Sequence, residues 1–498
     1  MKKILVAAIF ILVATVFVHA SLAFALDGQI GIHDPSTIIL CDGKFYTYGT
    51  GGTSLVSDDG WTWRRGAVLP RRGLAPDVIQ IGDRYFLYIA ANSGPTKADI
   101  ILLTNKTLDP ASPDYKWSEG GVVASSDGVE DCNAIDPGVL LDPNTKRLWL
   151  TYGSYFGYIR LVELDSRTGM RLNPHEKPRN IAINGEASIM IYHDGWYYLL
   201  VTHGSCCRGA DSGYNIRVGR AKKITGPFLD NIGVDMIQGG GKLFAGSSGR
   251  VIGPGHFGLF DLDDGVQRFS LHYEADLERG GASVLDIRPL LWKDGWPVAG
   301  ENLKEGTYQI ESLRTGTSLE LAVEGFPVGG RPLRRGPPPG GPGAPAGASG
   351  GGGGIFAGIS RPIPIQEVSD VSTKWPAGNI DVRMANYMCQ AQQKWTIEPV
   401  AGAGGYLGSP YFKITTAGTT RTLAATEGGE LVVLPAFTGG SEQLWRFDQL
   451  ADGSWRIMPK AIPNSKNPVV LSAVGSSFAT LAKFDPLGEK QRWLLKTP

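Results

Sequence analysis

Cysteine is scarce. Cys41, Cys132, Cys206, Cys207 and Cys389 are the only five in 498 residues, too few and too scattered for a disulfide scaffold or a zinc site. The adjacent Cys206-Cys207 pair is either a vicinal disulfide or two thiols lining a pocket. Charge of one sign is lacking as well: 48 basic residues balance 48 acidic ones without a long run of either. That balance argues against nucleic-acid binding and against an anionic-membrane patch. Long hydrophobic runs are missing after the first two dozen residues. The single run, Ile4 to Val18, follows Lys2-Lys3 and precedes Ala23-Phe24-Ala25. It is short for a bilayer span and right for a signal-peptide core. The expectation is a leader over 1–25, export to the periplasm or the medium, and no stable membrane insertion afterwards.

What is abundant is glycine, with 68 residues, interleaved with aromatic strand-like runs. Five such runs recur: "GKFYTYGT", "DRYFLYIAA", "KRLWLTYGS", "GWYYLLVTHGS" and "QRFSLHYEA". With Tyr46, Phe86, Leu148, Tyr198 and Phe269 as markers, the intervals are 40, 62, 50 and 71 residues. Asp42-Gly43, Gly82-Asp83 and Asp194-Gly195 precede three of them and suit tight hairpins. Repeats of this length built from short strands predict a β-propeller of five blades.

A polar residue precedes each marker: Asp34 in "IHDPSTI", Asp77 in "LAPDVIQ", Asp136 in "AIDPGVL", Glu186 in "NGEASIM" and His256 in "GPGHFGL". The offsets are 12, 9, 12, 12 and 13 residues. Each motif alone is weak, since Asp-Pro is ordinarily a turn and a lone histidine ordinarily structural. Repeated at one offset in a propeller, they would converge on the central channel, where buried acids are costly unless solvated or functional. Two carboxyl groups facing each other across a sugar can cleave a glycosidic bond, one protonated and one ionised. The apolar run "IAINGEASIMIY" suits Glu186 to the protonated role. Asp34 or Asp136 then serves as base, and spacing does not separate the two.

The ordered set "IHDPS", "APDV", "AIDPGV", "GEAS", "CCRGADSGYNIRVGRAKKITGPFLD", "GPGH" and "IRPLLWKDGWPV" resembles the arabinanases of glycoside hydrolase family 43 over about residues 28 to 298. The resemblance implies an inverting enzyme on a five-bladed propeller, acting on α-1,5-linked arabinan. It makes Asp34 the general base, Glu186 the general acid and Asp136 the carboxylate that raises and orients the acid. His256 matches a histidine that helps hold a calcium ion with waters, a metal implied by resemblance alone. Asp77, Cys206, Cys207 and Arg217 fall on the substrate side of the same motifs. Where the family commonly has tryptophan before Ala-Pro-Asp, this chain has Leu74, so Tyr155 or Phe156 is the candidate aromatic wall. Neighbouring readings are an exo-acting α-L-arabinofuranosidase or β-xylosidase of the family, and a non-catalytic carbohydrate-binding protein. A family 32-type fructoside propeller fits the motifs less well.

After Trp296-Pro297 a different repeat begins. Gln393-Lys394-Trp395, Gln443-Leu444-Trp445 and Gln491-Arg492-Trp493 recur with tryptophans 50 and 48 residues apart. Each follows an aromatic-x-Ile start and a leucine strand ("SLEL", "TLAA", "VLSA"). The threefold pattern resembles a ricin-type β-trefoil lectin over roughly 304 to 498. Such lectins typically bind sugar through an aspartate beside the leucine strand. None stands there in this chain, and Glu320 is the only nearby acid in the first lobe. The alternatives are therefore a carbohydrate ligand and a structural trefoil braced against the propeller. Leucine to tryptophan spans 22 residues in two lobes and 76 in the first. The Gly/Pro-rich stretch 336–354 therefore belongs to an insertion, about 326–378, inside the first lobe. The expected architecture is all-β: a five-bladed β-propeller over 26–299 followed by a β-trefoil over 300–498.

Overall fold

The computed structural model describes residues 26–92, 94, 97–127, 132–261, 265–323, 375–463 and 468–498. The expected leader and the Gly/Pro-rich stretch lie outside the described residues. Helix is confined, among the described residues, to seven short 3-10 turns. None is long and apolar enough to cross a membrane.

Five sheets form a five-bladed propeller, each built on a four-stranded antiparallel meander, and in blade 1 Asp27–Gly28 adds a fifth strand parallel to Thr62–Arg65. Blade 1 spans Ile39–Cys41 to Thr62–Arg65, blade 2 Leu74–Ile81 to Ser118–Asp127, and blade 3 Gly138–Leu141 to Arg179–Ile183. Blade 4 runs from Glu186–His193 to Lys242–Ala245, and blade 5 from Val251–Asp261 to Trp296–Ala299. The second strand of a blade packs against neighbouring blades on both faces. That is why Arg84–Ala91, Trp196–His203 and Gln267–Asp276 are almost continuously buried instead of alternating. The hairpin chemistry follows the sequence. Asp42-Gly43 and Asp194-Gly195 both have positive φ at two successive residues, and Cys41 pairs with Lys44 and His193 with Trp196 across two-residue loops.

The ring closes through the N-terminal segment. Asp27 and Gln29 donate backbone N–H groups to Trp61 and Trp63 of blade 1, while Ile32 and Leu285 bond it to blade 5. Each inner strand enters at the face carrying Asp34, Asp136, Glu186 and His256 and leaves at the opposite face.

The remaining chain forms a ten-stranded hydrogen-bonded sheet and two small hairpins. The tryptophans of its three Gln-x-Trp triplets are fully buried, and each indole Nε1–H donates to a leucine carbonyl: Trp395 to Leu319, Trp445 to Leu423 and Trp493 to Leu471. The glutamines repeat one geometry too. The side-chain oxygens of Gln393, Gln443 and Gln491 accept the N–H of Met388, Thr438 and Asp485, and their amides donate to the carbonyls of Asn386, Ala436 and Lys483. Ser318–Leu321 and Ile380–Ala385, which flank the undescribed 324–374, are paired neighbours with Leu319 opposite Met384.

This second unit seats on the propeller face opposite the carboxylates, against the 58–61 turn of blade 1 and the outgoing ends of blade 5. Leu407 N–H donates to Asp59 O at 2.9 Å, Gly408 N–H to Gly60 O at 3.0 Å and Trp292 N–H to Ala451 O at 2.9 Å. Leu407 is buried within the propeller core. Gly405 permits this approach, since a Cβ there would lie 2.4 Å from the Trp61 ring.

Candidate active site

At the entry of every inner strand one non-glycine residue adopts positive φ: Asp34 (51°), Ala75 (44°), Asp136 (54°), Ala187 (50°) and His256 (59°). Such a conformation costs roughly 1–2 kcal/mol per residue and concentrates at functional sites. In blades 2, 4 and 5 it coincides with a register shift against the second strand, a bulge that re-aims the side chain. In four of the five, the N–H of this residue is received by a side chain of the preceding blade. Asp34 N–H donates to His272 Nδ1 (3.2 Å), Ala75 to Thr50 Oγ1 (2.9 Å), Ala187 to Asp136 Oδ2 (3.1 Å) and His256 to Thr202 Oγ1 (2.9 Å). The ring of bulges is thus locked blade to blade.

Three carboxyl groups and a histidine converge there. Asp34 Oδ2 accepts from Thr50 Oγ1 at 2.6 Å and lies 2.8 Å from His33 Nδ1. Its Oδ1 is 3.6 Å from His256 Nδ1. Burial alone would raise the Asp34 carboxyl. The neighbouring His256 and His33 imidazoles, the latter in hydrogen-bond contact, hold it well below the usual carboxylate range. Glu186 moves the other way, pushed up to about 7 by burial and by the Asp34 charge, against a hydrogen bond from Tyr214 Oη to its Oε1. Gly255 makes room for that phenol: a Cβ there would sit 2.7 Å from Tyr214 Cδ2. Asp136 is raised well above its ordinary value by burial, then by Glu186 and Asp34. The cluster therefore holds one carboxylate that stays ionised beside a carboxyl pair that retains a proton to near neutrality.

The other expected residues divide. Tyr155 faces the acids. Burial, followed by the charges of Glu186, Asp136 and Glu274, raises its phenol, and its hydroxyl donates to Thr202 O at 3.4 Å. Phe156 next to it is 59% exposed. Cys206 and Cys207 are joined as a vicinal disulfide, with Cys207 exposed, which closes the alternative of two thiols. Arg217 lies two strands out from the channel and donates from Nε to Asn215 Oδ1 at 3.2 Å. Asp77 is a correction. Its two oxygens accept Thr37 N–H (3.0 Å) and Val139 N–H (2.9 Å), and it is 1% exposed. It braces blades 1, 2 and 3 and offers nothing to a substrate. The residue of blade 2 that corresponds to Asp34 is Ala75, two positions earlier.

His33, Thr50, Tyr214, His272 and Glu274 complete the cluster and were not singled out by the repeat. The available signal was the alternation Arg268-x-Ser270-x-His272-x-Glu274-x-Asp276, which places five polar residues on one face of a buried strand. For a calcium ion the fitting feature is His256 Nδ1, a buried nitrogen with no hydrogen-bond partner. A hard cation prefers oxygen, so an ion held there by His256 would draw its remaining ligands largely from water.

Residues 45–297 match the profile of glycosyl hydrolases family 43. The extracellular exo-α-(1→5)-L-arabinofuranosidase ArbA of Cellvibrio japonicus is 35% identical over 245 residues, covering 46% of this chain and 70% of that protein. The extracellular endo-α-(1→5)-L-arabinanase 1 of Bacillus subtilis is 32% identical over 293 residues, covering 53% and 87%. Among solved structures, an exo-1,5-α-L-arabinanase from a bovine ruminal metagenomic library superposes with a TM-score of 0.51 at 35% identity, over 54% of this chain and 97% of that one. The Cellvibrio cellulosa α-L-arabinanase complexed with arabinohexaose gives 0.51 at 30% identity, over 54% and 96%.

Proposed function

The chain belongs to glycoside hydrolase family 43, and from that premise we propose that it hydrolyses α-1,5-linked L-arabinan or a related arabinose-containing polysaccharide with inversion. The observation that carries this reading is the opposed proton preference of Asp34 and Glu186 across one channel mouth. Glu186, protonated up to about pH 7, donates to the departing glycosidic oxygen. Asp34, ionised throughout, takes the proton of a water that attacks the anomeric carbon from the other side. Asp136 supports the acid by accepting Ala187 N–H, which fixes the backbone beside Glu186, and by sharing its proton. Tyr155, whose phenol feels the charges of Glu186 and Asp136, supplies a partly exposed aromatic surface beside the acids. His256 would hold the implied calcium ion, whose charge at that point would favour the ionised base.

Both named relatives are called extracellular, which supports export of this chain by the leader over 1–25. For the second unit, the threefold tryptophan and glutamine geometry supports the β-trefoil reading. Glu320, the acid beside the first leucine strand, is engaged by Arg383 Nε at 2.7 Å and Gln393 Nε2 at 2.8 Å. That engagement favours a trefoil that braces the propeller over one that binds sugar through Glu320.

The test is to incubate the mature full chain with linear arabinan and with xylan and to size the products. Oligosaccharides of mixed length mean internal cleavage, and a single short product means attack at chain ends. Glu186→Ala is expected to lose roughly 10²-fold or more on polymer. Undiminished activity in that variant overturns the acid assignment, and release from xylan alone overturns the substrate.

A further inference from the structure

His33 stands between two carboxylates. Its Nδ1 is 2.8 Å from Asp34 Oδ2 and its Nε2 is 2.8 Å from Glu274 Oε1. Ionised carboxylates only accept hydrogen bonds, so this geometry is satisfied when both ring nitrogens carry a proton. Glu274 itself is 5% exposed, on the second strand of blade 5, one strand removed from the channel. Its Oε1 also accepts from His272 Nε2 at 3.2 Å, and its Oε2 accepts Cys207 N–H at 2.7 Å. His272 Nδ1 accepts the Asp34 N–H, so its single proton must sit on Nε2. The His33 and His272 rings lie 4.4 Å apart. These three side chains converge closely enough to suggest metal ligation, but their facing atoms are already matched donor to acceptor.

We infer that Glu274 is a positioning residue for the base: it holds His33 doubly protonated against the Asp34 side chain and His272 against the Asp34 backbone, and is itself fixed by the turn of the Cys206–Cys207 disulfide. The inference rests on Asp34 being the base. It assigns a purpose to a buried carboxylate that lies one strand behind the channel-lining strand and 241 residues from the histidine it orients. The other charged groups that His33 faces are Asp136 and Glu186, whose carboxyls feel its positive charge. Burial alone would lower the His33 imidazole, but the hydrogen bonds and charges of Asp34 and Glu274 push it up to about 10. Three donors meet Glu274: His33 Nε2–H, His272 Nε2–H and Cys207 N–H. A carboxamide offers a single acceptor oxygen, so Glu274→Gln leaves at least one donor unmatched while preserving shape.

The experiment uses the full chain with nitrogen-labelled histidine. The chain holds seven histidines, and His33→Gln identifies the His33 signals by their loss. In the wild type at pH 8, both His33 ring nitrogens should show protonated shifts. In Glu274→Gln, one should revert to an unprotonated shift, with kcat on linear arabino-oligosaccharides falling about 10- to 100-fold and KM changing less than about threefold. A singly protonated His33 in the wild type overturns the inference without any variant, so a failure of Glu274→Gln to fold does not shelter it. Unchanged kcat with a raised KM also overturns it, because Glu274 would then shape substrate binding. A wild type inert on arabinan defeats the proposed substrate, yet the His33 shifts still decide whether Glu274 holds the doubly protonated ring.

Discussion

Asp34 and Asp448 are both carboxylates ringed by basic side chains, at opposite faces of the propeller, and they serve opposite ends. Asp448 is fully buried where the second unit meets blade 5, at 2.8 Å from Arg446 Nε, 2.8 Å from Arg456 Nη2 and 3.7 Å from Arg268 Nη2. Burial would raise it, but the three guanidinium charges hold it at about 2. Asp34 lies among imidazoles instead, at a mouth where its side chain keeps 16% exposure. A guanidinium never gives up its proton in this range, so the Asp448 cluster is a fixed clamp. Imidazoles can gain or lose one, and a partly solvated carboxylate can take one from water. The choice of cation, more than the carboxylate, separates a joint from a reaction site.

That contrast is broken most directly by removing each carboxylate. Asp34→Asn should lower kcat/KM by about 10³-fold, within the range for a lost general base, while the thermal midpoint moves little. Asp448→Ala should do the reverse. It strands Arg268, which is 1% exposed, and breaking one partner of a buried pair costs about 3–5 kcal/mol. Denaturant unfolding should register that loss while kcat on arabino-oligosaccharides stays within about twofold of wild type. If Asp448→Ala slows turnover strongly at full folding, the joint is coupled to the site and the contrast fails. The smallest expected effect sharpens the proton assignment. The Tyr214 hydroxyl stabilises ionised Glu186, so Tyr214→Phe should move the alkaline limb of the rate profile upward from about pH 7, by up to about one unit. A downward shift would mean that the phenol acts on the neutral acid.

The blade count, the hairpins at Asp42-Gly43 and Asp194-Gly195, and the entry positions of Asp34, Asp136 and His256 were legible because each depends on a few neighbouring residues. Asp77 was misplaced by the same reasoning. A near-constant offset assumes unbroken strands, and the shift between Leu74 and Asp77 moves the corresponding position to Ala75. A bulge changes the count against the partner strand, so a residue aligned by count can serve a different contact. Glu186 escaped that error by standing immediately before the bulge residue Ala187. The Cys206–Cys207 bond was undecided in sequence because adjacency permits both states.

Local chemistry in the sequence determined an all-β chain, five repeated strand entries, and the acidic residues that those entries carry. Only the tertiary structure decided which of those acids keeps a proton. His33 meets Glu274 across 241 residues and Asp34 meets His272 across 238. Such pairs exist because the ring closes blade 5 onto blade 1. A proton's preference depends on burial and on charges a few ångströms away in space, quantities that no spacing along the chain encodes.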